Sequence, residues 1–192
     1  MKSFDTKKLV GVALFTAIVI MLQLMGSFIR FGVFSISLVL VPIVVGAAVY
    51  GLAAGAWLGF VFGLAVLFSG DANLFLGYNV FGTVLTVLVK GTAAGYCAGL
   101  VYKLFEKKHK YFAVIAAAII CPLVNSGLFF VGCLVFFVKA VEDMGGGGNV
   151  AQFVLFTLIG GNLIFELLLN VVLGPVIVRI IDIGKKSIEK KA

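Results

Sequence analysis

The chain has 192 residues, of which 62% are hydrophobic and 12% charged, with a mean hydropathy of +1.23. A soluble domain carries about a quarter charged residues, so a soluble enzyme is excluded and an integral membrane protein is indicated. The net charge of +7 is the excess of Lys and Arg expected in the cytoplasmic segments of a membrane protein, and we expect no nucleic-acid partner.

Six apolar segments follow one another along the chain. They cover residues 9–25, 38–50, 52–69, 79–104, 111–138 and 152–181. A helix needs roughly 20 apolar residues to cross the hydrocarbon core, and the second and third segments together are long enough for a hairpin of two spans around Gly51. The sequence therefore predicts an all-α integral membrane protein with six transmembrane helices, forming a single transmembrane domain over residues 1–192.

The basic residues lie on one side of these predicted spans. Twelve of the fifteen flank the same side: Lys2, Lys7, Lys8, Lys103, Lys107, Lys108, Lys110, Arg179, Lys185, Lys186, Lys190 and Lys191. The other side has only Arg30 and Lys139, and Lys90 lies inside the fourth segment. Because cytoplasmic segments are enriched in Lys and Arg, both termini are predicted to be cytoplasmic.

Three loops then lie outside the cell, at residues 26–37, 70–78 and 139–150. The last contains VEDMGGGGN, and four consecutive glycines cost much conformational entropy to order. We therefore expect a mobile flap over the outer side of the bundle.

Small residues recur at every fourth position in three segments. The third segment has Gly55, Gly59 and Gly63, the fourth has Gly91, Gly95 and Gly99, and the first has Ala13 and Ala17. Such stripes let membrane helices approach closely. The glycine stripes are interpreted as packing seams within the bundle, and the alanine pair alone would be interpreted in the same way.

Polar residues in the apolar segments are more informative. Lys90 and Glu166 lie near the middle of the fourth and sixth segments, and each would cost roughly 2.5 to 3.5 kcal/mol if it faced lipid. Both must therefore face the bundle interior. Asn162 and Asn170 lie four residues before and after Glu166, so the three share one helix face.

The fifth segment adds Asn125 and Ser126 close to Pro122, and Gln23 lies near the outer end of the first. One interpretation is an ion pair between Lys90 and Glu166, with amide hydrogen bonds that fasten the helices. The other is a cavity for a small polar ligand, because a proline frees a backbone carbonyl and bends the wall. The residues predicted to bind substrate are Lys90, Asn125, Ser126, Asn162, Glu166, Asn170 and Gln23.

No catalytic or metal site is predicted. The sequence lacks a Walker-type loop and an HExxH motif, the three cysteines have no zinc-site spacing, and the sole histidine, His109, lies among lysines. We therefore expect no enzymatic activity and no cofactor.

The whole pattern resembles the substrate-binding S components of the energy-coupling factor (ECF) vitamin transporters of bacteria. The likeness rests on six spans in about 190 residues, on Ala13 and Ala17, and on ISLVLVPIVVGAAVYG, GAWLGFVFG, VKGTAAG and CPLVNSGLFF in that order. The resemblance implies high-affinity binding of a vitamin or related nutrient in the bacterial cell membrane. It also implies partnership with a separate transmembrane coupling protein and two ATPases.

The same resemblance implies that Ala13 and Ala17 contact the coupling protein. It also implies that the loop after the first span and the glycine-rich loop before the sixth gate the site. The substrate stays open, with a preference for pantothenate or another small carboxylate nutrient that rests on Lys90. An alternative is a self-sufficient ion-coupled carrier in which Lys90 and Glu166 relay ions, although the six short spans show no inverted repeat of broken helices.

Overall fold

The computed structural model describes residues 6–28, 30–31, 34–35, 38–146 and 148–189. In chain order the helices are α1 (Thr6–Phe28), α2 (Leu40–Tyr50), α3 (Leu52–Ser69), α4 (Asn73–Tyr78), α5 (Val80–Phe105), α6 (Lys110–Phe136), α7 (Val138–Val141), α8 (Val150–Phe153) and α9 (Gly161–Glu189). Two π-helical stretches, Glu142–Gly146 and Val154–Gly160, follow α7 and α8. The predicted all-α membrane protein is confirmed.

Between α1 and α2 lie two very short strands, β1 (Arg30–Phe31) and β2 (Phe34–Ser35), which pair in an antiparallel register. The remaining residues of this predicted outer loop at 29, 32–33 and 36–37 lie outside the described residues, as do Lys2, Lys190, Lys191 and Gly147.

Five helical stretches are long and apolar enough to cross a membrane. They are Thr6–Ser27, Leu52–Ser69, Val80–Phe105, Lys110–Phe136 and Val150–Lys186, which confirms five predicted spans to within a few residues. The other predicted span is α2, whose 11 residues rise only about 16 Å. Most of α2 is buried, so this short helix lies among the others rather than facing lipid along its length.

The break between α2 and α3 is a single residue, Gly51. Its φ of 94° belongs to the region of backbone conformations that favours glycine. The chain reverses direction there, as the predicted hairpin requires.

The two glycine stripes pack against each other. A Cβ atom on Gly59 would overlap the carbonyl oxygen of Gly91, and a Cβ on Gly91 would overlap that of Gly59. Gly55 and Gly95 show the same reciprocal relation one turn away. The backbones of α3 and α5 therefore touch directly, which confirms the predicted packing seam and explains why side chains are excluded from it.

Both ends of the described chain lie at one face of the bundle. Lys185 Nζ lies 2.5 Å from Glu106 Oε2, and Lys110 Nζ lies 2.9 Å from Asp182 Oδ1, so the end of α9 adjoins the connection between α5 and α6. Gly11, near the start of α1, packs so closely on the end of α2 that a Cβ would overlap the Tyr50 ring. Gly184 of α9 lies close to Val49 at the end of α2, so both ends share one face. The basic residues of that face predict it to be the inner, cytoplasmic one.

The outer face is more helical than the sequence predicts. The segment at 70–78 contains α4, and the segment at 139–150 begins with α7 and a π-helical turn. Gly145 interrupts that turn with a φ of 111°, a conformation that a residue with a Cβ rarely adopts. The predicted flap is therefore partly ordered by helical hydrogen bonds.

Candidate functional site

Lys90 lies within the bundle without an acidic partner. It follows the outer end of α5 by ten residues, which corresponds to a depth of about 15 Å. No carboxylate of a described residue lies within 4.0 Å of its Nζ. Instead the ammonium lies 5.0 Å from the ring centre of Phe129 and 6.0 Å from that of Phe62, where the negative faces of the rings attract it. The two rings therefore stabilise the positive charge of Lys90, but no carboxylate of a described residue neutralises it.

Glu166 is a buried carboxyl group on α9. Its side chain is 3% exposed, and its Oε1 accepts a hydrogen bond of 3.3 Å from the Asn162 side chain one turn earlier. The second oxygen, Oε2, has no hydrogen-bond partner among the described residues. The two ionisable groups are close enough to interact electrostatically, yet they form no ion pair. Of the two interpretations offered by the sequence, the ion pair between Lys90 and Glu166 is not formed between these two described side chains.

A stripe on α6 connects the surroundings of Glu166 with those of Lys90. Cys121, Asn125 and Phe129 recur every four residues and so share one helix face. Glu166 lies level with the turn of α6 that contains Cys121, because Asn170, one turn further along α9, bonds to the Ala118 carbonyl of α6. Phe129 lies beside the Lys90 ammonium. The side chain of Asn125, between them, is 7% exposed and its Oδ1 has no donor among the described residues. We call Lys90, Asn125 and Glu166 the three-helix site.

Asn170 has a structural contact. Its side-chain nitrogen donates a hydrogen bond of 3.2 Å to the carbonyl oxygen of Ala118 in α6, four residues before Pro122. Ser126, next to Asn125, is buried as well, and successive helix positions point in different directions. For both residues a ligand contact stays a prediction.

Gln23 links α1 to the outer end of α3. Its Nε2 donates to Asp71 Oδ2 at 2.7 Å and to Ser69 Oγ at 3.4 Å, and the side chain is 6% exposed. Asp71 is also close enough to Lys90 to interact electrostatically. Gln23 thus joins α1 to the outer end of α3, and its contact with a ligand stays a prediction.

Aromatic residues cover the outer side of the site. The Phe75 ring of α4 packs edge-on against Phe129 with ring centres 5.4 Å apart, and 4.9 Å from Phe137. The Tyr78 hydroxyl at the end of α4 donates a hydrogen bond of 2.9 Å to Asp143. This bond joins α4 to the glycine-containing turn, so the two outer segments close over the site together.

Sequence reasoning missed Phe62, Phe129, Phe75 and Asp71. Phe129 follows Asn125 by four residues, and that spacing was the available signal because it places the ring on the polar face of α6. Phe62 and Phe75 carry no comparable signal, since a phenylalanine in an apolar helix is ordinary packing.

A recess of about 400 Å³ lies elsewhere on the outer side. Gln152, Phe153 and Thr157 line it together with Gly145. It includes none of the residues of the three-helix site, and we assign it no ligand.

Ala13 and Ala17 lie on the outside of the bundle. Both are exposed, and α1 is the least buried of the five spans, with 11% of its apolar window inside the bundle against 33 to 50% for the others. The opposite side of α1 faces inward, where Val19 is fully buried and the Phe15 ring packs edge-on against Tyr50. The two alanines therefore do not form an internal seam among the described residues.

A family model described as the substrate-specific component of ECF transporters matches residues 7–178. The match begins in the first turn of α1 and ends within α9, so it covers all seven predicted binding residues and both alanines. Neither the curated proteins nor the solved structures gave a match to the chain.

Proposed function

The chain belongs to the family of substrate-specific components of ECF transporters, and we propose that it is the high-affinity binding subunit for uptake of a vitamin or related small nutrient. Members of this family are transporter subunits rather than enzymes, and this chain is a multi-pass membrane protein. The observation that carries the proposal is the three-helix site. There the Lys90 ammonium lies beside an aromatic ring, and two buried oxygen atoms, on Asn125 and Glu166, have no hydrogen-bond partner among the described residues.

The seven polar residues form the proposed substrate-binding set. Charged and amide groups are expensive at this depth and mark ligand or ion sites when they face a bundle interior. If the groups served only to fasten helices, Lys90 and Glu166 would gain most by pairing with each other, and they do not pair. A charged ligand that binds Lys90 would explain why the two side chains do not pair with each other.

A small carboxylate nutrient is the preferred substrate class, with pantothenate as the first candidate. An ammonium donates three hydrogen bonds and accepts none, so Lys90 suits a carboxylate. The flanking rings of Phe62 and Phe129 offer an apolar wall for the carbon chain of such a molecule.

The energy for transport comes from partners in this proposal. The family implies an ECF coupling protein and ATPase components, and we propose one transmembrane coupling protein with two ATPase subunits in a bacterial plasma membrane. Ala13 and Ala17 are proposed to contact the coupling protein, because small exposed side chains let another helix approach closely.

The test separates binding from transport. The purified chain in mild detergent should bind the nutrient without ATP, and both Lys90→Ala and Asn125→Ala should weaken binding. Cells should take up the nutrient only when the coupling protein and the ATPases are also present. If the chain alone moved substrate into liposomes down an ion gradient, the self-sufficient carrier would replace this proposal.

A further inference from the structure

Two buried oxygen atoms of the three-helix site need hydrogen-bond donors. Glu166 Oε2 and Asn125 Oδ1 have none among the described residues, and their side chains are 3% and 7% exposed. An amide oxygen can only accept, and a carboxyl oxygen accepts unless it carries the acid proton. Because buried polar atoms are rarely left without a partner, a bound molecule that supplies N–H or O–H groups is the expected source.

Lys90 has the opposite requirement. Its ammonium has three hydrogens to donate, and the rings of Phe62 and Phe129 satisfy it only through their electrostatic faces. No carboxylate of a described residue lies within 4.0 Å. An anionic acceptor from the ligand would complete this end of the site.

The two ends lie at different depths. Since α6 runs from the inner to the outer face, Phe129 beside Lys90 is nearer the outer face than Asn125, and Cys121 near Glu166 is deeper. At a rise of 1.5 Å per residue, Asn125 lies about 6 Å and Cys121 about 12 Å below Phe129 along the helix axis. The acceptor oxygens are therefore reached only by groups that extend past Lys90 into the membrane.

We propose that the ligand is bifunctional, with a carboxylate or other anionic group on Lys90 and hydroxyl, amide or ammonium hydrogens about 6 to 12 Å away on Asn125 and Glu166. The anionic end faces the outer side, and the donor end enters first and lies deeper. The inference rests on the proposed function, since it assigns the substrate class of the same site. It excludes a carboxylate without donors and a cation without an anionic group.

The ligand itself provides the first test. Wild-type protein is expressed in nutrient-rich medium, purified in mild detergent and denatured, and the released small molecules are identified by mass spectrometry. We expect a stoichiometric molecule that carries an anionic group and a donor at the stated separation. A released molecule that lacks either group overturns the inference while leaving the proposed function in place.

If the purified protein is empty, wild-type binding is measured with pantothenate, biotin, nicotinate and thiamine. Pantothenate and biotin have a carboxylate and distant donors, nicotinate has a carboxylate without donors, and thiamine is a cation without a carboxylate. Binding of pantothenate or biotin at least about tenfold tighter than the other two supports the inference. Equal or tighter binding of nicotinate or thiamine overturns it, and so does binding of none of the four, since neither bifunctional probe then binds. The proposed function is overturned only if a wider panel of vitamins also fails to bind.

Variants then assign the two ends. For the bound molecule, Lys90→Met and Glu166→Gln should each weaken binding by about tenfold or more, whereas Lys107→Met, at an exposed lysine on the inner side, should leave it unchanged. A ligand analogue without the anionic group should bind Lys90→Met and wild type equally. Both ligands are compared on each protein, so a folding defect, which weakens the binding of both, does not decide the result. If Lys90→Met still binds the anionic ligand more tightly than the analogue, the assignment is wrong.

Discussion

The side-chain nitrogen of Asn170 donates a hydrogen bond of 3.2 Å to the carbonyl oxygen of Ala118. In an uninterrupted α-helix that carbonyl accepts from the N–H of residue 122, which here is Pro122 and has no N–H. The last span therefore supplies the donor that the fifth predicted span lacks. This contact fixes α9 against α6 one turn from Glu166, so it also positions the three-helix site.

Replacing Asn170 should destabilise the protein mainly through this carbonyl. We expect Asn170→Leu to lower the free energy of unfolding by about 1 kcal/mol. In a Pro122→Ala background the loss should be smaller, because the alanine N–H can bond to Ala118 instead. Unfolding midpoints of the four proteins in one detergent form a double-mutant cycle, and strictly additive losses would contradict the predicted coupling.

The glycine seam should tolerate no side chain. Gly59→Ala would place a methyl group on the carbonyl oxygen of Gly91, and we expect it to reduce stability by about 1 to 3 kcal/mol. Gly127→Ala is the matched control, since nothing lies within 4 Å of a Cβ at that exposed helical position. Folded yield and thermal midpoint are measured for both, and similar values for the two variants would show that α3 and α5 do not pack as described.

The exposed alanines of α1 should matter for uptake and not for binding. Ala13→Trp adds a large ring on the proposed contact surface for the coupling protein, so we expect nutrient binding in detergent to be unchanged and uptake by the full transporter to be lost. Val172→Trp is the control, because Val172 of α9 is 74% exposed and lies outside the proposed contact surface. Uptake that survived the Ala13 change would refute the docking assignment.

The bond between Tyr78 and Asp143 should slow ligand release. The hydrogen bond raises the pKa of the Tyr78 hydroxyl above its ordinary value near 10, because it is lost when the hydroxyl ionises. The contact is thus kept below that raised pKa and is lost only as the pH rises through it. At neutral pH, Tyr78→Phe removes it, and we expect the ligand dissociation rate to rise about two- to tenfold.

Stopped-flow measurement of release checks this prediction. Tyr111→Phe is a suitable control, since Tyr111 is an exposed tyrosine near the inner end of α6. An unchanged rate in Tyr78→Phe would show that α4 and the glycine-containing turn do not act as a joint cover of the site.

The chain composition and its local patterns predicted the class of protein and most of its spans. The boundaries of α5 and α6, for example, differ from the predicted segments by one or two residues, because the lengths of apolar stretches are set by membrane thickness. The helical spacing of Asn162 and Glu166 likewise predicted a shared polar face, and the two side chains are hydrogen-bonded.

The pairing of helices was not accessible from the sequence. The two glycine stripes are each visible alone, but only the packing of α3 on α5 shows that they face each other. The contact between Asn170 and Ala118 spans 52 residues, and no local pattern specifies it. In the same way, the sequence left open whether Lys90 pairs with Glu166, and the structure places it beside Phe129 instead.

The sequence by itself therefore determined that the chain enters the membrane and how many apolar segments it has, and it predicts which face is cytoplasmic. These properties depend on the free energies of transfer from water to lipid, summed over residues that are neighbours in the chain. Tertiary structure alone decided which polar atoms have hydrogen-bond partners among the described residues and which do not. Hydrogen bonds between helices depend on distances of a few ångströms between residues far apart in the chain.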